Sequence, residues 1–193
     1  VLIPALALPA DALAGAIGDP GAHQFGVLLL DLNGFKEVND SLGHYTGDLL
    51  LREVAVRLRE TVTERCTVAR LGGDEFAVVI PLLPDVETGL AAAAAINEAI
   101  RRPIALASMA LEVTASIGMA VWPQHGEDPA MLLQRADVAM YSAKRSHAGV
   151  TLYDPSLNWN SQFSLRLAGE LRGALLARQI DVHYQPIART TDV

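Results

Sequence analysis

TVARLGGDEFAVVI, residues 67–80, sets two runs of β-forming residues, 67–71 and 76–80, around Gly72-Gly73-Asp74-Glu75. Glycines flanked in this way predict a hairpin, with two carboxylates at its tip. Working outward, residues 27–31 (VLLLD) form a continuous apolar run that ends in Asp31. Such a run suits a central strand buried on both faces. A helix is expected over about 35–42, broken at Gly43, and a second over about 47–62, with Leu51, Val54, Leu58 and Val62 on one face. Downstream, Pro84 and Asp85 open a helix whose apolar face is Val86, Leu90, Ala93, Ile96 and Ile100, with Pro103 beyond its end. Residues 111–122 predict one long strand. Pro129 starts a helix with a stripe of Leu132, Ala136, Met140 and Ala143, and 150–153 form a last strand. This alternation gives an α/β fold, an α+β sandwich in which helices pack on one mixed central β-sheet.

The 193 residues are enough for one well-packed domain with some length left over. Half of them are apolar and 19% are charged, a globular composition. A net charge of −7 argues against broad binding to nucleic acid or to anionic membrane, which both need a cationic surface. Cys66 is the single cysteine, so no intrachain disulfide can form, and it reads as a small buried hydrophobe in a reducing compartment. The apolar start, VLIPALALPADALAGAIG, lacks a basic flank, is interrupted by Pro4 and Pro9, and is too short to span a bilayer. It is expected to lie inside a longer chain, and no membrane contact is expected from this segment.

Asp31 at a strand end and Asp74-Glu75 on a neighbouring turn form an arrangement that can share hard cations such as Mg²⁺. Such ions take oxygen ligands and complete their shells with substrate phosphate. Held in this way they clamp a phosphoryl group and favour attack by a hydroxyl. Gly72 and Gly73 leave room for a nucleotide to approach the backbone.

These residues carry a resemblance. RLGGDEFAVVI resembles the GGDEF signature of diguanylate cyclases, and LLLDLNGFKEVNDSLGHYTGD (28–48) resembles that family's metal-and-guanine segment. SIGMAVWPQHGED and LLQRADVAMYSAK, within 116–144, resemble its later strand and helix. The similarity runs in order from about Phe25 to Asp154 and implies a palm-like nucleotide-cyclase fold. It implies that Asp31 and Asp74, with the backbone carbonyl of Leu32, ligate Mg²⁺, or Mn²⁺ as the alternative. Glu75 would help bind metal or activate a 3′-hydroxyl. Asn39 and Asp48 would read the guanine edge, Lys144 would meet the triphosphate, and amides near Gly34 and Phe35 would hold phosphate oxygens.

Plainer roles stay open for several of these. Asn39 and Asp48 also suit helix caps, and a lysine is favoured near any helix C-terminus. His44 reads as a packing or capping residue.

The implied reaction condenses two GTP into cyclic di-GMP and two pyrophosphates, in a homodimer and in the cytoplasm. The alternative is a GTP-binding regulatory module with weak turnover. Three departures bear on the choice. AKRSHAGV (143–150) puts His147 and Ala148 where the resemblance expects glycine and a phosphate-binding arginine, and Arg145 points about 100° away from Lys144. Residues 3–11 keep only Leu8-Pro9 of the family's opening turn. Thr63-Glu64-Arg65-Cys66 lacks the RxxD product-inhibition pattern. Asn33, in place of a second aspartate, is a mild change. The tail, ELRGALLARQIDVHYQPIA (170–188), resembles the opening of an EAL phosphodiesterase domain whose metal ligands would lie beyond Val193. Its apolar positions Leu167, Leu171, Ala174 and Leu175 mark an amphipathic helix. The expected organisation is therefore a degenerate N-terminal turn over 1–24, a GGDEF domain over 25–155, and a linker helix with the first EAL strand over 156–193.

Overall fold

A computed structural model describes residues 24–106 and 109–158. All of them but Asn158 belong to the first compact unit of the chain, which ends at Leu157. The opening turn around Leu8-Pro9, the helix bearing Leu167 and Leu171, and the strand expected over 180–184 lie outside the described residues.

The elements run β1 (Phe25–Asn33), α1 (Phe35–Leu42), α2 (His44–Thr61), β2 (Thr67–Gly72), β3 (Glu75–Ile80) and α3 (Val86–Arg101). They continue with β4 (Ile104–Leu106), β5 (Met109–Leu111), β6 (Thr114–Trp122), α4 (Pro129–Ser146) and β7 (Val150–Leu152). A five-stranded sheet has the order β2-β3-β1-β6-β7, with β1 antiparallel to both β3 and β6. Only β7 runs parallel to its neighbour, β6. This is the mixed sheet flanked by helices that the element pattern implies.

Central placement of β1 follows from its composition. Side chains alternate between faces along a strand, and both faces of β1 are apolar. Leu28, Leu30 and Leu32 enter a core with Leu51, Val54 and Leu58 of α2 and Ile96 and Ile100 of α3. Phe25, Val27 and Leu29 enter a second core with Leu132, Ala136 and Met140 of α4. Helix α4 lies so close to β6 that a Cβ on Gly118 would run into the backbone of Ala136 and Met140.

Four expectations need correction. The strand expected over 111–122 is two: β5 pairs with β4 in a separate two-stranded sheet, and the chain leaves that sheet at Glu112 and Val113 before β6 begins. Helix α2 begins at His44, because the single residue Gly43 (φ 82°, ψ 157°) is both the C-cap of α1 and the N-cap of α2. His44 is exposed and neither packs nor caps: Gly43 holds the N-cap position, without a side-chain hydrogen bond. Cys66 is only half-buried against the first core, its Sγ 3.4 Å from Thr63 Oγ1. The strand ends also shift slightly, β2 reaching Gly72, β3 starting at Glu75 and β7 ending at Leu152. Among the described residues, no helix is long and apolar enough to cross a membrane.

Candidate functional site

The second face of β1 turns from apolar to acidic at its C-terminal end. After Val27 and Leu29, the next residue on that face is Asp31. It pairs directly with Glu75 of β3 on one side and with Ser116 of β6 on the other. Three neighbouring strands thus present Glu75, Asp31 and Ser116 in one row, toward α4. From that helix Lys144 reaches down, its Nζ donating to Asp31 Oδ1 at 2.6 Å.

The turn that carries Asp74 is held from two directions. Arg70 donates from Nε and Nη2 to the Gly73 carbonyl, at 3.0 and 2.8 Å. The Leu32 N–H donates to the Asp74 carbonyl at 3.3 Å, tying the turn to the end of β1. Gly73 takes φ +51°, a left-handed conformation that costs glycine little.

The electrostatics are those of crowded like charges. Partial burial raises the Glu75 pKa first, then repulsion from Asp31, Asp137 and Asp74, with Lys144 opposing. Asp137, at the exposed rim on α4, is raised by desolvation. The Lys144 ammonium is held above its ordinary pKa by its hydrogen bond to Asp31 and by the surrounding carboxylates, against some desolvation. Three carboxylates, Asp31, Asp74 and Glu75, thus act on one ammonium, with Asp137 beside Glu75, and every ligating atom on offer is an oxygen. That chemistry fits a hard divalent cation held by Asp31, Asp74 and backbone carbonyl oxygen. Among the described residues no three His, Cys, Asp or Glu side chains form a ready-made metal cage. Such a site would need substrate oxygens to complete an ion's shell.

A second group lies on the helices that follow β1. Gly34, at φ +77°, is the N-cap of α1 and offers no side chain, so the first amides of α1 have no side-chain cap. Asn39 of α1 packs against α2 at Gly47, where an added Cβ would fall on Asn39 Oδ1 and lie 3.3 Å from Phe35 Cζ. Phe35, Asn39 and Gly47 therefore meet, with Asp48 next in the chain and exposed. Neither Asn39 nor Asp48 caps a helix through its side chain, since the N-caps of α1 and α2 are Gly34 and Gly43. Gly72 and Gly73 are exposed at the hairpin end.

Sequence reasoning passed over Asp137, Ser116 and Arg70. For Asp137 the signal was available: it precedes Lys144 by seven residues, two helical turns, and so shares its face. Ser116 emerges only from the strand register. Asn33 was set aside as a mild change, yet its amide accepts from Ser116 Oγ at 2.9 Å and donates to Thr114 Oγ1 at 3.0 Å. Arg145 lies over the Tyr141 ring of its own helix, 6.0 Å from the centroid.

The model of the diguanylate cyclase GGDEF domain matches residues 11–149, and the chain belongs to that family. It is 42% identical over 165 residues to the bifunctional diguanylate cyclase/cyclic di-GMP phosphodiesterase MucR of Pseudomonas aeruginosa, covering 85% of this chain and 24% of that protein. It is 36% identical over 167 residues to the cyclic di-GMP phosphodiesterase NbdA of the same organism, covering 86% of this chain and 21% of the relative. The chain thus spans about a quarter of the length of these relatives. Among solved structures, the GGDEF domain of YfiN (TpbB) from Pseudomonas aeruginosa superposes with a TM-score of 0.72 at 40% identity, covering 75% of this chain and 92% of that one.

Proposed function

We propose that this domain is a diguanylate cyclase: it joins two GTP into cyclic di-GMP, releases two pyrophosphates, and works as a head-to-head homodimer. The observation that carries the proposal is the row of Glu75 and Asp31 closed by Lys144, beside the stapled turn of Asp74.

Asn39 and Asp48 supply an amide and a carboxylate to the guanine edge, which presents N–H donors and ring acceptors. The uncapped amides that follow Gly34 receive phosphate oxygens. Mg²⁺ held at Asp31, Asp74 and the Leu32 carbonyl would neutralise the phosphates and lower the pKa of the attacking hydroxyl. Glu75, its basicity raised by partial burial and then by its acidic neighbours, takes the proton of a 3′-hydroxyl. The 3′-oxygen then forms a bond to the α-phosphorus of the second GTP, and the bond to the bridging oxygen breaks with release of pyrophosphate. A second, reciprocal step closes the ring. Each chain has one such site, so two chains must face each other for both steps.

A second reading has its own support. Ala148 stands where the resemblance implies a phosphate-binding arginine, and NbdA, named only as a phosphodiesterase, is 36% identical to this chain over 167 residues. In that reading the domain, over 25–155, binds GTP and tunes an EAL domain beginning within 156–193. Turnover of GTP with Mg²⁺, followed by chromatography of cyclic di-GMP, separates the two. A cyclase forms product that falls at least about a hundredfold in Asp74→Asn. Product formation retained in that variant sinks the assignment, and GTP binding without product favours the regulatory module.

A further inference from the structure

The Lys144 ammonium stands on Asp31 Oδ1 at 2.6 Å, on the carboxylate that the proposed metal must use. Resting on the metal-assisted GTP reading above, we infer that Lys144 and the divalent cation compete for Asp31. The triphosphate admits the metal by drawing the ammonium away, so the metal binds well only together with the nucleotide.

The two partners differ in freedom. Asp31 is fixed in β1 between Glu75 of β3 and Ser116 of β6, and its side chain is 13% exposed. Ser116 does not stand in for the lysine, because its one hydroxyl hydrogen goes to Asn33 Oδ1. Lys144 sits in the last turn of α4 on a flexible four-carbon stem, with its side chain 49% exposed. The ammonium can therefore leave while the carboxylate stays.

A metal ion on Asp31 and an ammonium hydrogen-bonded to the same group would be two cations sharing one negative charge. Their repulsion favours one or the other. The protein offers the metal little in return, since among the described residues no three His, Cys, Asp or Glu side chains form a cage. Phosphate oxygens change both sides of this balance: they complete the ion's shell, and they give the ammonium a new acceptor. By linkage, metal and triphosphate must each strengthen the binding of the other.

A plainer role for the pair is to brace α4 against β1. Bracing alone predicts that removing Lys144 lowers the melting temperature and leaves metal affinity unchanged.

The test is Mn²⁺ binding without nucleotide, followed by the loss of the free ion's paramagnetic resonance signal. Lys144→Met keeps the stem and removes the charge, and is expected to bind Mn²⁺ at least about fivefold more tightly than the unsubstituted chain. Lys144→Arg keeps a cation there and should stay within about twofold. Arg145→Gln removes an equal charge from the next residue, which lies over the Tyr141 ring, and should also stay within about twofold. Thermal melts on the same samples show that each variant is folded, and Lys144→Gln replaces Lys144→Met if the latter is not. Unchanged Mn²⁺ affinity in the folded Lys144 variant, or an equal gain in Arg145→Gln, overturns the competition; the cyclase reading then stands as long as the chain binds Mn²⁺ together with GTP. If the unsubstituted chain binds no Mn²⁺ even with GTP, the cyclase reading falls, and this inference with it.

Discussion

Gly47 lies inside α2, where glycine is less favourable than alanine by about 1 kcal/mol. Its presence is explained by Asn39, whose side chain occupies the space a Cβ would take. Gly47→Ala should therefore leave the melting temperature unchanged or raise it, while pushing the Asn39 amide away and weakening GTP binding about tenfold. Thermal melts and GTP titrations on the same sample check this, and unchanged affinity would show that Asn39 does not depend on the gap. Within the candidate site, the grouping of Asp31, Asp74 and Glu75 was legible because a carboxylate ending an apolar strand or crowning a glycine turn has no packing role. The positions of Ser116 and Gly47 were not, because the first depends on strand register and the second on where α2 begins.

At the scale of elements, the α4–β6 contact depends on Gly118. Gly118→Ala must displace backbone, because the added methyl meets the main chain of Ala136 and Met140. A loss of at least 1–3 kcal/mol is expected, by the order of overpacking costs, and chemical denaturation measures it. A loss under ~0.5 kcal/mol would show that α4 can slide freely.

The β6–α4 connection also carries a titrating group. His125 is buried, accepts the Val121 N–H on Nδ1 at 3.0 Å, and meets Tyr153 edge-on. Burial first, then Arg135, lowers its pKa below the ordinary 6.5, with Asp154 opposing. The unfolded chain therefore takes up a proton near pH 6.5 that the folded chain refuses. This contribution to stability is complete above that pH and is lost as pH falls from it toward the folded pKa. His125→Asn, which keeps an acceptor, should flatten the stability difference between about pH 7.5 and about pH 5. An unchanged slope would place the effect elsewhere. The helices were legible from their caps and stripes: Asp85 accepts from the Thr88 amide, and Asp128 from that of Met131 beside Pro129. The break between β5 and β6 was not, because a β-rich run looks the same whether it serves one sheet or two.

Across the whole domain, one five-stranded sheet separates two apolar cores and carries its charge to one end. There β1 finishes, the hairpin turns, and α3 and α4 finish. The mixed architecture was legible because both faces of β1 are apolar and the elements alternate. The meeting of Lys144 with Asp31, 113 residues apart, was not legible, because the resemblance implied a triphosphate contact for Lys144 and the pairing depends on how α4 packs on the sheet. With one acid row and one pair of proposed guanine readers, Asn39 and Asp48, on each chain, the proposed reaction needs two chains for each product. The most direct measurement is cyclic di-GMP formed per protomer from GTP and Mg²⁺, followed across a range of protein concentrations. The account predicts product at a rate per protomer that rises with concentration as dimers form. GTP bound at every concentration with no cyclic di-GMP would contradict it.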